Sequence, residues 1–236
     1  MAYNNSHHIK TIRRLRYEYM TEAIPNCVRL VKRCTNSHDW VSKDFWCQEA
    51  LGYCDEFEIQ PFLLAGLNPY NIQLPCDRDR NPLCYNFTNV ETFLNLNSTR
   101  KNLHVSEKKG RWYSCDGFVH WKFTNDWMTD LSWRVARVLE AGVSVLIYAG
   151  DLDFLCNYIG NEAWTRELAW ESGDKFRNAT LREWVGESSD GSGRGLVRSA
   201  KGLTFLQVYD AGHMVPMDQP VVALDMIKTF LEGREF

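Results

Sequence analysis

The sequence predicts an α/β fold whose carboxy-terminal half runs helix–strand–helix–strand–helix. The first sign is a set of apolar residues, Leu131, Val135, Val138 and Leu139, at helical spacing before Gly142. The second is VSVLIYAG at 143–150, a short apolar run closed by glycine, which is the pattern of a buried strand in a parallel sheet. The third is LTFLQVYD at 203–210, a further run of this kind after an intervening helical stretch. Strands separated by helices argue for a sheet with crossover connections.

Taken in order, residues 10–112 read as irregular, with short helical stretches, a cysteine-rich segment and the turn-forming NPYNIQLPC. A helix starting near Trp127 precedes the first strand, and residues 157–170 read as helical. The polar, glycine-rich GESSDGSGRG at 186–195 is a loop leading to the second strand. The closing helix has Asp218 placed to cap it and Pro220 in its first turn. Ala223, Met226, Ile227 and Phe230 form one face before Gly233. The expected division is an insertion region at 1–112 and a sheet-bearing region at 113–236.

The 236 residues are 44% hydrophobic with a formal net charge of −3, which disfavours a strongly basic nucleic-acid binder. No apolar run is long enough to cross a membrane, and the first twenty residues contain no apolar stretch of signal-peptide type, so no leader is expected. Eight cysteines, at 27, 34, 47, 54, 76, 84, 115 and 156, include no CxxC pair, which argues against zinc ribbons and thioredoxin-like motifs. No metal or cofactor is expected. The first four are spaced seven, thirteen and seven residues apart. Among the many connectivities possible, this symmetry favours a nested pairing, Cys27–Cys54 outside Cys34–Cys47. Cys76 and Cys84 can close a short loop across Pro82. Four glycosylation sequons, at Asn4, Asn86, Asn97 and Asn178, join the cysteines in favouring a secretory-pathway protein.

Both strands run out into chemistry-bearing residues. The first is followed by Gly150-Asp151-Leu152-Asp153, the second by Ala211-Gly212-His213-Met214-Val215-Pro216. Functional groups of α/β sheets gather past the carboxyl ends of strands. An acid and then a histidine, in that chain order, match the last two members of a Ser…Asp…His triad, with the histidine as general base and the aspartate holding its tautomer. The plainer alternative is a pair of turn aspartates and a loop histidine bonded to a carbonyl.

In fuller form, VLIYAGDLDFLCNYIGNEAW and AGHMVPMDQPVVAL resemble the aspartate and histidine motifs of the serine carboxypeptidases. NPYNIQLPC…LCY, Asp126-Trp127-Met128 and the cysteine spacing resemble that family too, over about residues 15–233. The resemblance implies an α/β-hydrolase fold, of which this chain carries the carboxy-terminal part of the central sheet plus a helical, disulfide-linked insertion. It implies that Asp153 is the catalytic acid, His213 the catalytic histidine and Asp151 a structural strand-end residue. Met214, Tyr70 and Tyr85 match the pocket for the leaving C-terminal amino acid. Trp127, Leu155 and Cys156 match the wall of the neighbouring pocket, Cys156 being a free thiol that confers sensitivity to mercurials in some members. The family pairings are Cys27–Cys54, Cys34–Cys47 and Cys76–Cys84. The partner of Cys115 lies upstream, before the nucleophile, and is absent from this sequence.

No G-x-S-x-G elbow precedes the acid. Gly186-Glu187-Ser188-Ser189-Asp190 lacks the second glycine, follows no apolar strand and falls between acid and histidine. The expectation is therefore the carboxy-terminal half of a serine-type carboxypeptidase, inactive alone. Its parent acts on peptide or protein C-termini in a vacuole, a lysosome or outside the cell, and its partner is the missing amino-terminal half. Two alternatives are a non-catalytic peptide-binding pseudoenzyme and a serine carboxypeptidase-like acyltransferase.

Overall fold

The computed structural model describes residues 11–77, 81, 83–187 and 192–236. Two helices come first, α1 (Arg14–Asn36) and α2 (Trp40–Cys54). The expectation of an irregular amino-terminal half fails here, because α1 runs 23 residues straight through Pro25. A proline inside a helix removes a donor and crowds the preceding turn, at roughly 3 kcal/mol. Local sequence signals are thus overridden by what ties the helix down. Cys27–Cys54 and Cys34–Cys47 join α1 to α2, and the Arg33 guanidinium lies 4.4 Å from the centre of the Trp46 ring. Beyond α2 the backbone widens into a π-helical turn, Asp55–Ile59, and then the short helix Gln60–Leu63.

The chain packs as two compact units that interleave along the sequence. One takes Arg29–Gly52 and Cys76–Thr129; the other takes the described part of Met1–Val28 together with Tyr53–Pro75 and Asp130–Phe236. The first of these holds Cys34–Cys47 and Cys76–Cys84, and residues 103–116 within it form no helix or strand. Side chains meet part of the backbone polar groups there. Asn95 accepts from the Trp112 N–H at 2.8 Å and donates to its carbonyl at 2.9 Å. Arg100 donates to the carbonyls of Lys109 and Gly110, and Glu91 accepts from both the N–H and the hydroxyl of Ser114.

The other unit holds the sheet. Helix α3 (Ser132–Glu140) stops at Gly142, whose φ of 78° lets the Val143 N–H turn back onto the Val138 carbonyl at 3.1 Å. Then come β1 (Val145–Gly150), α4 (Tyr158–Glu167), β2 (Arg182–Trp184), β3 (Gly195–Ala200), β4 (Leu203–Val208) and α5 (Pro220–Leu231). The sheet order is β1-β4-β3-β2, with β1 parallel to β4 and the other pairs antiparallel. All six residues of β4 are buried, which makes it the central strand.

The sequence reading found β1 and β4 but passed over β2 and β3. A charge breaks the apolar pattern of β3. Arg198 is only 8% exposed, its guanidinium 3.0 Å from Glu162 and donating to the Arg177 and Ala179 carbonyls. The hairpin to β4 is a two-residue turn, Lys201-Gly202, both at positive φ.

On one face of the sheet Val197, Leu206 and Val208 pack against Val222, Ala223 and Met226 of α5. On the other, Leu203 and Phe205 pack against Ala136 and Leu139 of α3 and against Phe176. A further cluster joins Met20 of α1 to Phe62, Ile72, Leu152 and Phe154, with the Phe62 and Phe154 rings stacked at 3.8 Å. No helix of the described residues is long and apolar enough to cross a membrane.

Cys34 and Cys47 close a loop of 13 residues. Replacing both by serine is expected to lower unfolding free energy by about 3 kcal/mol, the loop-closure entropy for that length. Urea unfolding of the double variant against the parent measures it. A change below about 0.5 kcal/mol contradicts a stapling role.

Candidate active site

The parallel pair β1 and β4 ends in register, Gly150 beside Val208. Pairing continues past both strands, with the Asp151 N–H on the Val208 carbonyl and the Leu152 N–H on the Ala211 carbonyl, each at 2.9 Å. Two loops 60 residues apart in sequence are thereby laid side by side. Glycine permits the approach. A Cβ on Gly150 would collide with the carbonyl oxygens of Ala211 and Gly212, and one on Gly212 with the carbonyl of Tyr70.

A third segment, 68–72, clamps these loops. The His213 N–H donates to the Tyr70 carbonyl at 2.7 Å, the Phe154 and Leu155 N–H groups share the Pro69 carbonyl, and Ile72 N–H reaches the Leu152 carbonyl at 3.0 Å. Asn68, 1% exposed, fixes the segment from within by accepting from the Tyr70 and Asn71 N–H groups.

Within this frame Asp153 Oδ2 lies 2.8 Å from His213 Nδ1. The other carboxylate oxygen accepts from the Cys156 N–H at 3.2 Å. Asp153 is buried, whereas the His213 side chain is 32% exposed. The pair uses Nδ1 and leaves Nε2 as the nitrogen for proton transfer to a substrate or nucleophile. The His213 pKa is pushed up to about 10. The hydrogen bond that the ring donates to Asp153 is the main cause and the Cys156 side chain the second, with burial acting in the opposite direction. Asp151, two residues away, is equally buried but plays a different part. Its charge, with that of Glu183, adds to burial in raising the Tyr209 pKa.

The same unit brings Tyr70, Leu155, Cys156 and Met214 to this region. The Tyr70 ring centre is 5.4 Å from that of His213. Leu155 packs partly into the Phe62–Phe154 cluster, and half-buried Met214 opens the short helix Val215–Asp218. Cys156 is exposed, and one donor atom each from Asp153, Cys156 and His213 lie within 4.8 Å of one another, the one set of three metal-capable donors among the described residues. Tyr85 and Trp127 belong to the unit without the sheet. Tyr85 is buried with its ring 5.9 Å from Phe87, and Trp127 is exposed with its ring edge-on to His120.

Asn86, Asn97 and Asn178 are exposed, while Asn4 lies outside the described residues, as does Ser188-Ser189-Asp190. Cys115 and Cys156 are free thiols.

Sequence reasoning missed the roles of Asn68, Asn71 and Asp218. Asp218 does not cap α5, whose N-cap is Gln219. Its carboxylate instead accepts from the Gly212 N–H at 2.7 Å and from the Asn71 side chain at 3.4 Å, which ties the histidine loop to the 68–72 segment. The Asn-Pro-Tyr-Asn run carried a signal, since asparagines flanking a proline close turns through their side chains. Nothing local to Asp218 announced a partner 147 residues away.

Two outcomes follow from this geometry. A histidine whose pKa is raised on folding stabilises the fold fully below its unfolded value, near 6.5, and loses that contribution as pH climbs toward about 10. Thermal unfolding should therefore show a melting temperature that declines across that window, and His213→Gln should flatten the decline. Gly150→Ala should displace the aspartate loop and cost several kcal/mol, because the opposing atoms are backbone and cannot rotate away. A native-like unfolding midpoint in that variant contradicts the close approach.

Comparison with known proteins agrees with this architecture. The family model for serine carboxypeptidases matches residues 1–233. The vacuolar serine-type carboxypeptidase ATG42 of Saccharomyces cerevisiae is 35% identical over 218 residues, which cover 92% of this chain and 42% of that protein. Carboxypeptidase Y of Candida albicans is 35% identical over 217 residues, covering 91% and 38%. A serine carboxypeptidase-like protein of Pisum sativum is 39% identical over 211 residues, covering 89% and 69%. The chain thus spans about two fifths of the first two relatives. Among solved structures, the prohormone-processing carboxypeptidase Kex1Δp of Saccharomyces cerevisiae superimposes with a TM-score of 0.67 at 23% identity, over 95% of this chain and 49% of that one. The fold is the α/β-hydrolase fold, with a mixed sheet, helices and three disulfides, and the chain belongs to the serine carboxypeptidase family.

Proposed function

We propose that this chain supplies the acid–base machinery of a serine-type carboxypeptidase that releases C-terminal amino acids from peptides and proteins. The observation that carries the reading is the 2.8 Å bond between buried Asp153 and half-exposed His213 at the ends of two adjacent parallel strands. In the reaction, His213 Nε2 takes the proton of a serine hydroxyl as that oxygen attacks the scissile carbonyl. Asp153 holds the ring and stabilises the imidazolium. The proton then passes to the leaving amine, and water, activated by the same nitrogen, releases the acyl group. Tyr70 and Met214 would line the pocket for the departing residue, and Leu155 and Cys156 the neighbouring one.

The serine is proposed to come from polypeptide outside these 236 residues, and the chain to be inactive without it. Residues 1–112 would be the insertion and 113–236 the sheet-bearing part. Two observations support this. The chain spans only about two fifths of its vacuolar and carboxypeptidase Y relatives. In addition, β1 stands at one edge of the sheet formed by the described residues, where another strand could pair with it. The raised His213 pKa fits the same picture. The Asp153 hydrogen bond favours the protonated ring, and burial is the influence that favours its neutral, proton-accepting form. Covering the ring would therefore help to create the base. By likeness to those relatives the enzyme would work in the vacuole.

A fluorophosphonate probe should leave the isolated chain unlabelled, and blocked dipeptides should stay intact. Co-folding with an amino-terminal segment that carries a serine elbow should restore both labelling and turnover. In that complex Asp153→Asn should lower kcat by about 10⁴. Labelling of the isolated chain at Ser188 would overturn the assignment. Turnover of acyl esters with transfer to alcohols but no peptide cleavage would redirect it to an acyltransferase.

A further inference from the structure

Asp153, Cys156 and His213 offer one carboxylate oxygen, one sulfur and one ring nitrogen within 4.8 Å of one another. Thiolate, imidazole and carboxylate are together the donor set of zinc, and three protein ligands with an open fourth position is the arrangement of accessible zinc sites. We infer that these three side chains form a reversible binding site for a borderline divalent cation, Zn²⁺ above all, and that its occupancy disables the Asp153–His213 pair. The inference stands on the donors alone and holds whether or not the proposed peptidase reading does.

The distances are close to what binding needs. Metal–ligand bonds of about 2.0–2.3 Å in a tetrahedron put donor atoms about 3.3–3.6 Å apart. The Nδ1···Oδ2 distance of 2.8 Å must open by roughly half an ångström, and the widest separation, within 4.8 Å, must close by about 1 Å. The closing movement falls on Cys156, an exposed side chain just past the aspartate turn, where rotation about Cβ supplies it. The opening movement expels the proton held between Nδ1 and Oδ2. A bound cation thus replaces the hydrogen bond on which the dyad depends.

The surroundings are those of a supported site. The His213 backbone is pinned by its 2.7 Å bond to the Tyr70 carbonyl, and the second oxygen of Asp153 is held by the Cys156 N–H. Such outer contacts orient ligands before the metal arrives. Exposure of the thiol and of a third of the imidazole provides a way in from solvent. A chelate also differs from simple capture of a soft metal by one sulfur, because it requires the other two donors. Cys115, the second exposed free thiol, is not part of this set and serves as the internal control.

Cobalt is the probe, because a thiolate bound to Co²⁺ gives a near-ultraviolet charge-transfer band that histidines elsewhere in the chain cannot produce. The full 236-residue chain carrying Cys115→Ser should develop this band at one Co²⁺ per chain, and Zn²⁺ should displace it. Cys156→Ser should abolish the band. His213→Gln and Asp153→Asn should each weaken Co²⁺ affinity at least tenfold, since even outer partners of metal ligands are worth roughly 10–100-fold. Cys156→Ser replaces an exposed side chain, so loss of the band there with an unchanged circular dichroism spectrum reads binding rather than folding. Three results would overturn the site: no band up to millimolar Co²⁺, a band that survives Cys156→Ser, or full affinity in His213→Gln, which would mean capture by the thiol alone.

Discussion

Everything at the site depends on the parallel pairing of β1 with β4. Parallel strands end on the same edge of a sheet, so whatever follows each one in sequence is delivered to the same place. Here the register aligns Gly150 with Val208, and the ladder carries on into both loops until the Leu152 N–H meets the Ala211 carbonyl. Glycine at 150 and 212 is the steric condition for that continuation, because side chains there would strike opposing backbone. Once the loops are held this way, Asp153 and His213 need no conformational search to find each other. The burial of all six positions of β4 keeps the frame rigid under them.

Electrostatics then separates two aspartates that look equivalent in Gly-Asp-Leu-Asp. Both are buried. Asp153 gains a histidine on one oxygen and a backbone N–H on the other, so its charge acts on the His213 ring. Asp151 lies at the strand end, where its charge acts on Tyr209 instead. Asp218 is a third carboxylate with a purely mechanical role, since its bonds to Gly212 and Asn71 hold the histidine loop to the segment that also clamps the aspartate loop. Only Asp153 of these carboxylates meets the histidine ring; Asp218 helps to fix the loop on which that ring stands.

Much of this was legible in the sequence wherever the signal was local. The strands β1 and β4, the helix closed by Gly142 and the two loop motifs all declared themselves by apolar runs and glycine punctuation. Arg198 hid β3, because a charge in a six-residue strand breaks the pattern on which strand assignment rests, and the Glu162 partner that makes it tolerable comes from a distant helix. Pro25 hid α1 in the same way, since disulfides from far along the chain hold a helix that its own residues argue against. Asp218 carried a local signal that pointed to the wrong partner. A helix N-cap and a loop tie use the same short carboxylate, and only the tertiary fold distinguishes them.

The half-exposed imidazole is the point at which geometry and function pull apart. Asp153 and Cys156 both favour the protonated ring, and only burial opposes them. A general base has to be neutral before it can accept a proton. In this unit the Asp153 contact favours the protonated ring over the neutral one that proton abstraction from a hydroxyl needs. Of the influences on this ring, burial alone lowers its pKa. On the proposed function, any surface that covered His213 would therefore shift it toward the neutral form while leaving the Asp153 contact, which is already made, in place.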